Sequence, residues 1–181
     1  MSKRLFTNYF DEDFKDTDRF KDAVNQATLN EYANLYIKNN ETATTVTTQS
    51  ERYAIEGASE LGAIVNDFTI DQANNAIEYT GEGGIFLVTM TFSIKAGNND
   101  RIGVYIAKNT GGAINPSDDR ISESEVYITT SGTTAQDRPA AASVQALLEL
   151  SQGDKLYGIV QNTSSTTNIL VIFMNLIATT L

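Results

Sequence analysis

The sequence predicts a mainly β protein: an antiparallel β-sandwich over residues 51–181, preceded by a short helical N-terminal arm over 1–50. Three observations carry this. Long stretches between residues 84 and 181 alternate apolar and polar side chains with period 2, the mark of half-buried strands. Short Gly/Asn/Asp/Ser segments join them, as turns require. All 12 glycines lie at or beyond Gly57, and both prolines, Pro116 and Pro139, lie later still. The first 56 residues therefore lack the two strongest chain punctuators.

Within the arm, Phe20, Ala23, Val24 and Ala27, then Leu29, Tyr32, Ala33, Tyr36 and Ile37, follow i, i+3, i+4, i+7 spacing. That spacing predicts one or two amphipathic helical segments over 11–38, with Asp16, Thr17 and Asp18 as N-caps. The stretch NNETATTVTTQS (39–50) is Thr-rich and nearly devoid of apolar groups, so it reads as an extended linker.

In GIFLVTMTFSIKAG (84–97), Phe86, Val88, Met90, Phe92 and Ile94 share one face and predict a long strand. RIGVYIAK (101–108) turns Ile102, Val104 and Ile106 inward, and NTGGAINPSDD (109–119) is a loop. SVQALLEL (143–150) buries Val144, Ala146, Leu148 and Leu150, KLYGIVQN (155–162) alternates again, and NILVIFMNLIATTL (168–181) closes the chain.

That closing strand is apolar on both faces from Ile169 to Ala178, except at Asn175. A sandwich strand normally keeps one wet face. The second face is covered either by the N-terminal helix or by another subunit. For the subunit interface the candidates are Ile169, Val171, Phe173 and Ile177 on this strand, with Tyr157 and Ile159 on the one before. Such an interface closes most simply as a ring of a few subunits.

Composition limits the chemistry. The 181 residues include no cysteine and no histidine, which excludes Cys/His zinc sites, disulfides and His-based catalysis. The net charge of −10 disfavours nucleic acid. It divides unevenly: six cations face eight anions in residues 1–50, and seven face fifteen in 51–181. The N-terminus, MSKRLFTNYFDEDF, lacks the apolar core of a secretion signal, and Ile169–Ala178 is too short to span a bilayer, so no membrane insertion is expected. Carboxylates remain: Asp118 and Asp119 in a loop, and Glu123 and Glu125 on a common strand face. Both glutamates read as solvent-facing, and no catalytic residue is expected. Asn98, Asn99 and Asp100 form an oxygen-rich turn, the one place where calcium is conceivable, although calcium wants more carboxylates; no cofactor is expected. GEGG (81–84) precedes a strand and lacks a Lys-Ser/Thr pair, so it is not a phosphate loop. Phe6, Tyr9, Phe10, Phe14 and Phe20 cluster in the arm, where aromatics serve as anchors in a partner surface.

Four segments resemble the jelly-roll heads of the tumour necrosis factor and complement globular-head superfamily. FTIDQANNAIEYTGEGGIFLV (68–88) is similar to the family's Asp-turn, short strand, and Gly before an aromatic-bearing strand, matched by Gly84 and Phe86. NDRIGVYIAKN (99–109) resembles the next strand. LELSQGDKLYGIV (148–160) resembles the Leu-x-x-Gly-Asp turn at Leu150, Gly153 and Asp154, and the closing strand with Phe173 and Leu176 resembles the final one. The resemblance covers about 51–181. It implies a non-enzymatic homotrimer whose interface includes the final strand. The loops AGNNDRIGVYIAKNTG and QNTSSTTNI are similar to those of tailed-bacteriophage heads. There is no collagen-like stalk and no shaft of repeats. The expectation is therefore a virion protein on the capsid surface, made in the host cytoplasm. It would be a capsid decoration or head-fibre protein gripping the major capsid protein or another virion protein through its arm. The alternative is a receptor-binding tip that holds host surface glycan through loops 109–120 and 130–140.

Overall fold

The computed structural model describes residues 31–131 and 139–181. Eleven strands are β1 (Tyr32–Ile37), β2 (Arg52–Ala54), β3 (Ser59–Val65), β4 (Phe68–Asp71), β5 (Ala76–Tyr79), β6 (Gly84–Lys95), β7 (Arg101–Asn109), β8 (Val126–Thr129), β9 (Ala140–Leu150), β10 (Lys155–Asn162) and β11 (Leu170–Thr180). A 3-10 turn occupies Ser122–Ser124. One sheet runs β3-β1-β11-β6-β9 and the other β4-β5-β10-β7-β8, with β2 also on β10. Every pairing is antiparallel.

The five strands read from alternation are present, and their inward residues are the core. Phe86, Val88, Met90 and Ile94 of β6 face Ile102, Val104 and Ile106 of β7 across the sandwich, with Leu148 and Leu150 of β9 beside them. Phe68, Tyr79 and Phe86 close one end, their ring centroids 5.0–5.4 Å apart and tilted or edge-on, the favoured aromatic geometry. Gly158 makes room at the centre. A Cβ there would lie 2.5 Å from Ile55 Cδ1 and 2.9 Å from the sulfurs of Met90 and Met174.

Three expectations for residues 31–50 are corrected. Tyr32–Ile37 is a strand, not the end of a helix. YANLYI satisfies both periods locally, but as a strand it puts Ala33, Leu35 and Ile37 into the core and pairs with β11 on one side and β3 on the other. Two ladders and three buried side chains outweigh a helical stripe that local spacing alone supports. The sandwich unit therefore begins at Glu31, not at residue 51. Residues 39–50 are not a free linker either. Asn40 Nδ2 donates to the carbonyls of Thr42, Glu56 and Val171 at 2.9–3.1 Å. Thr44 exchanges backbone hydrogen bonds with Ile169, and Thr44 and Val46 are buried. The rest of the anticipated helical arm, residues 11–30, lies outside the described residues.

β11 carries an irregularity between Val171 and Phe173, where pairing to β6 skips Ile172. The bulge is held by Asn40, whose backbone N–H donates to the Ile172 carbonyl at 3.2 Å. It restores the alternation, so that Met174, Leu176 and Ala178 point inward while Phe173, Asn175 and Ile177 point out.

Candidate functional site

The outer face of the first sheet is the surface the final strand brings into question. Strand registers arrange it in rows. Tyr32, Thr179, Leu87 and Leu147 lie side by side across β1, β11, β6 and β9. Asn34, Ile177, Thr89 and Gln145 form the next row, then Tyr36, Asn175, Thr91 and Ser143. Phe173 stands beside Ser93 at the far end. Ile85, the second residue of β6, lies one row outside the first, and the Leu181 N–H donates to its carbonyl at 3.3 Å.

This face is mixed in an informative way. Ile85, Leu147 and Phe173 are 57%, 61% and 39% exposed, which is unusual for large apolar residues on a strand. On the same sheet, Asn34 Oδ1 of β1 and Asn175 Oδ1 of β11 are shielded from solvent by the chain yet accept no hydrogen bond. A buried acceptor without a donor carries a desolvation cost of about 1–3 kcal/mol.

The six residues expected at a subunit interface divide. Phe173 and Ile177 lie on this face. Ile169 and Val171 do not: both are fully buried in the sandwich core, because the bulge sets Val171 on the inward side. Tyr157 and Ile159 are also fully buried, on the outer side of the second sheet, beneath a cover supplied by the chain itself. There Ala54 of β2 and Ile114 of the 110–121 loop pack on Ala76, Tyr105, Ala107, Tyr157 and Ile159. These four have no surface to offer a partner. The exposed Ile85 and Leu147 on the same face were not among the sequence candidates. The available signal for Leu147 was one leucine in the otherwise small or polar outward set Ala141, Ser143, Gln145, Glu149.

The candidate carboxylates are engaged in holding loops. Asp119 Oδ2 accepts from Tyr157 Oη at 2.7 Å, the Asn115 N–H at 2.8 Å and Asn109 Nδ2 at 3.0 Å. Asp118 Oδ2 accepts from Asn115 Nδ2 at 2.6 Å. Glu123 sits within the 3-10 turn, not on a strand shared with Glu125, because Ser122–Ser124 closes that turn through the Ser124 side chain. Glu125 pairs with Arg120 at 3.4 Å. Asp100 is buried, and its Oδ2 accepts from the Gly97 N–H, Asn162 Nδ2 and Ser165 Oγ at 2.9–3.0 Å. That carboxylate knits two loops together with protein donors. Among the described residues no cluster of three acidic side chains is placed to hold a metal ion. The Gly153-Asp154 turn is likewise structural. Its backbone exchanges hydrogen bonds with Tyr79 at 2.8 and 2.9 Å, and Asp154 Oδ2 accepts from the Ser151 N–H at 2.9 Å and Lys108 Nζ at 3.3 Å. The anchoring candidates Phe6, Tyr9, Phe10, Phe14 and Phe20 lie outside the described residues, as do positions 132–138 of the second glycan-loop candidate.

Among solved structures the chain is similar to murine APRIL at pH 5.0, with a TM-score of 0.52 and 10% identity over 83% of this chain and 100% of that one. The fold is a tumour-necrosis-factor-like jelly roll. Murine APRIL at pH 8.5 matches at a TM-score of 0.50, again with 10% identity over 83% of this chain and 100% of that one. Eiger TNF from S. frugiperda matches at 0.48 with 12% identity, covering 83% of this chain and 93% of that one. No protein-family model and no curated protein matches the chain. The likeness carries the TNF-like architecture of two packed antiparallel sheets, and at these identities the architecture alone.

Proposed function

We propose that the chain is a non-enzymatic structural protein that works as a homotrimer of TNF-like heads, packed through the outer face of the five-stranded sheet. The observation that carries this is that Ile85, Leu147 and Phe173 are exposed on one sheet face. Apposition of copies removes these three apolar side chains from water. Thr89, Thr91 and Gln145 on the same face supply hydroxyl and amide groups for hydrogen bonds between copies.

The setting we propose is the capsid surface of a tailed bacteriophage, as decoration or a head fibre, with residues 1–30 gripping the major capsid protein or another virion protein. Support comes from the resemblance of the 96–111 and 161–169 loops to phage heads, and from the aromatic-rich 1–30 segment lying ahead of the sandwich unit. The test is capsid binding by the full chain and by a chain lacking 1–30. Saturable binding by the full chain, lost on truncation, supports the reading. Capsid binding by the truncated head sinks the arm's role.

A further inference from the structure

Three of the chain's six arginines lie among the described residues, and all three converge on one pair of tyrosines. Arg52 and Arg120 sit over the Tyr105 ring at 5.8 and 5.5 Å, and Arg101 over the Tyr127 ring at 4.1 Å. The two rings meet edge-on, 6.3 Å apart, and their hydroxyls are 3.0 Å apart. Tyr105 also donates to Gln161 Oε1 at 2.7 Å. It lies folded over Gly103, where a Cβ would come within 2.6 Å of its hydroxyl. The platform is built on β2, β10, β7 and β8, on the sheet opposite the self-association face.

The charges there do not balance. Arg120 has Glu125 at 3.4 Å, but Arg52 and Arg101 have no carboxylate partner among the described residues. Arg52 Nε is shielded from solvent without an acceptor, and Tyr127 is 36% exposed. In a chain of net charge −10, an arginine trio against one carboxylate is a local reversal of sign. The overall field repels polyanions, whereas the trio attracts at short range. A guanidinium fork matches a carboxylate two-to-two. Tyr127 Oη and the Glu125 carboxylate add hydrogen-bonding groups of the kind that sugar hydroxyls need.

We propose that this platform is a binding site for a saccharide carrying a single carboxylate, such as a uronic acid, held by Arg52 and Arg101 beside Tyr127. The site does not rest on the trimer reading, since it lies on the other sheet.

The test is calorimetric titration of the full chain with a glucuronate-containing tetrasaccharide, the matched neutral glucose tetrasaccharide and a Glu-rich peptide. Saturable binding of the acidic sugar is expected, with the neutral one at least about tenfold weaker. Arg52→Gln and Arg101→Gln should each weaken it at least about fivefold. An unchanged circular-dichroism melt shows that the variants fold, and Lys38→Gln on the opposite sheet should bind normally. Equal binding of the neutral sugar, unchanged binding by the Arg52→Gln/Arg101→Gln double variant, or tighter binding of the peptide overturns the proposal.

Discussion

The Tyr157 hydroxyl donates a 2.7 Å hydrogen bond to Asp119 Oδ2, fastening the 110–121 loop over the outer face of β10. Burial, reinforced by the Asp119 bond, pushes the phenol's pKa well above its ordinary value, so it remains a donor at any working pH. This is why a strand that reads as two-sided and apolar is covered by its own chain. Tyr157→Phe is expected to cost about 1–3 kcal/mol, because it removes a hydrogen bond to a charged, half-buried carboxylate. Asp119→Ala should cost more, since it also strips the Asn115 N–H of its acceptor and Asn109 Nδ2 of one of its two. Urea denaturation of both variants checks the order; an Asp119→Ala loss no larger than that of Tyr157→Phe would contradict it.

β1 belongs to the sandwich, and that too is measurable. Leu35→Ala should destabilise the fold by about 2–5 kcal/mol, the usual range for a truncated core leucine. Removing residues 1–30 should leave the thermal melt of the head in place, because the unit starts at Glu31. A Leu35→Ala chain as stable as the parent would return that segment to an appended arm.

Two carboxylates give opposite pH signatures. Burial raises the Glu31 pKa above 4.5, with Asp67 adding to the rise and a Tyr79 hydrogen bond opposing it. The folded state therefore favours protonated Glu31, whose stabilising contribution is full below pH 4.5 and lost as pH rises through the folded value. Glu31→Gln should stabilise the protein at pH 7 and make little difference at pH 4. For Asp71, the 2.8 Å pair with Lys155 and the Asn74 hydrogen bonds lower its pKa below 3.8. Its contribution is present above 3.8 and disappears as pH falls through the lowered value. Asp71→Asn should cost at most about 1 kcal/mol at pH 7 and nothing well below pH 3. Melting curves at the two ends of this range separate the residues, and a Glu31→Gln loss at pH 7 would contradict the assignment.

Much of the fold was legible, because long strands advertise themselves. The alternation of β6, β7, β9, β10 and β11 is set by which side chains must be buried, and that is local information. β1 was missed because YANLYI fits both periods, and only its two ladder partners, more than twenty residues away, decide between them. The short strands β2 and β8, of three and four residues, are too brief to show a period. Of the interface candidates, Phe173 and Ile177 were placed on the open face. Ile169 and Val171 were not, since a bulge reverses which residues face outward and leaves no trace in composition. Tyr157 and Ile159 were misjudged for a different reason: their cover comes from the 110–121 loop, which reads only as polar. The arginine platform was invisible, for its members come from β2, β7 and the segment after Asp119.

The self-association face is tested most directly by the solution mass. Light scattering of the purified full chain at micromolar concentration should give three times the 19.7 kDa chain mass. The Leu147→Glu/Phe173→Asp double variant should give one chain mass with strand content retained, because it sets charges among the exposed apolar residues of that face. A monomeric parent chain, or a variant that remains trimeric, would contradict the account.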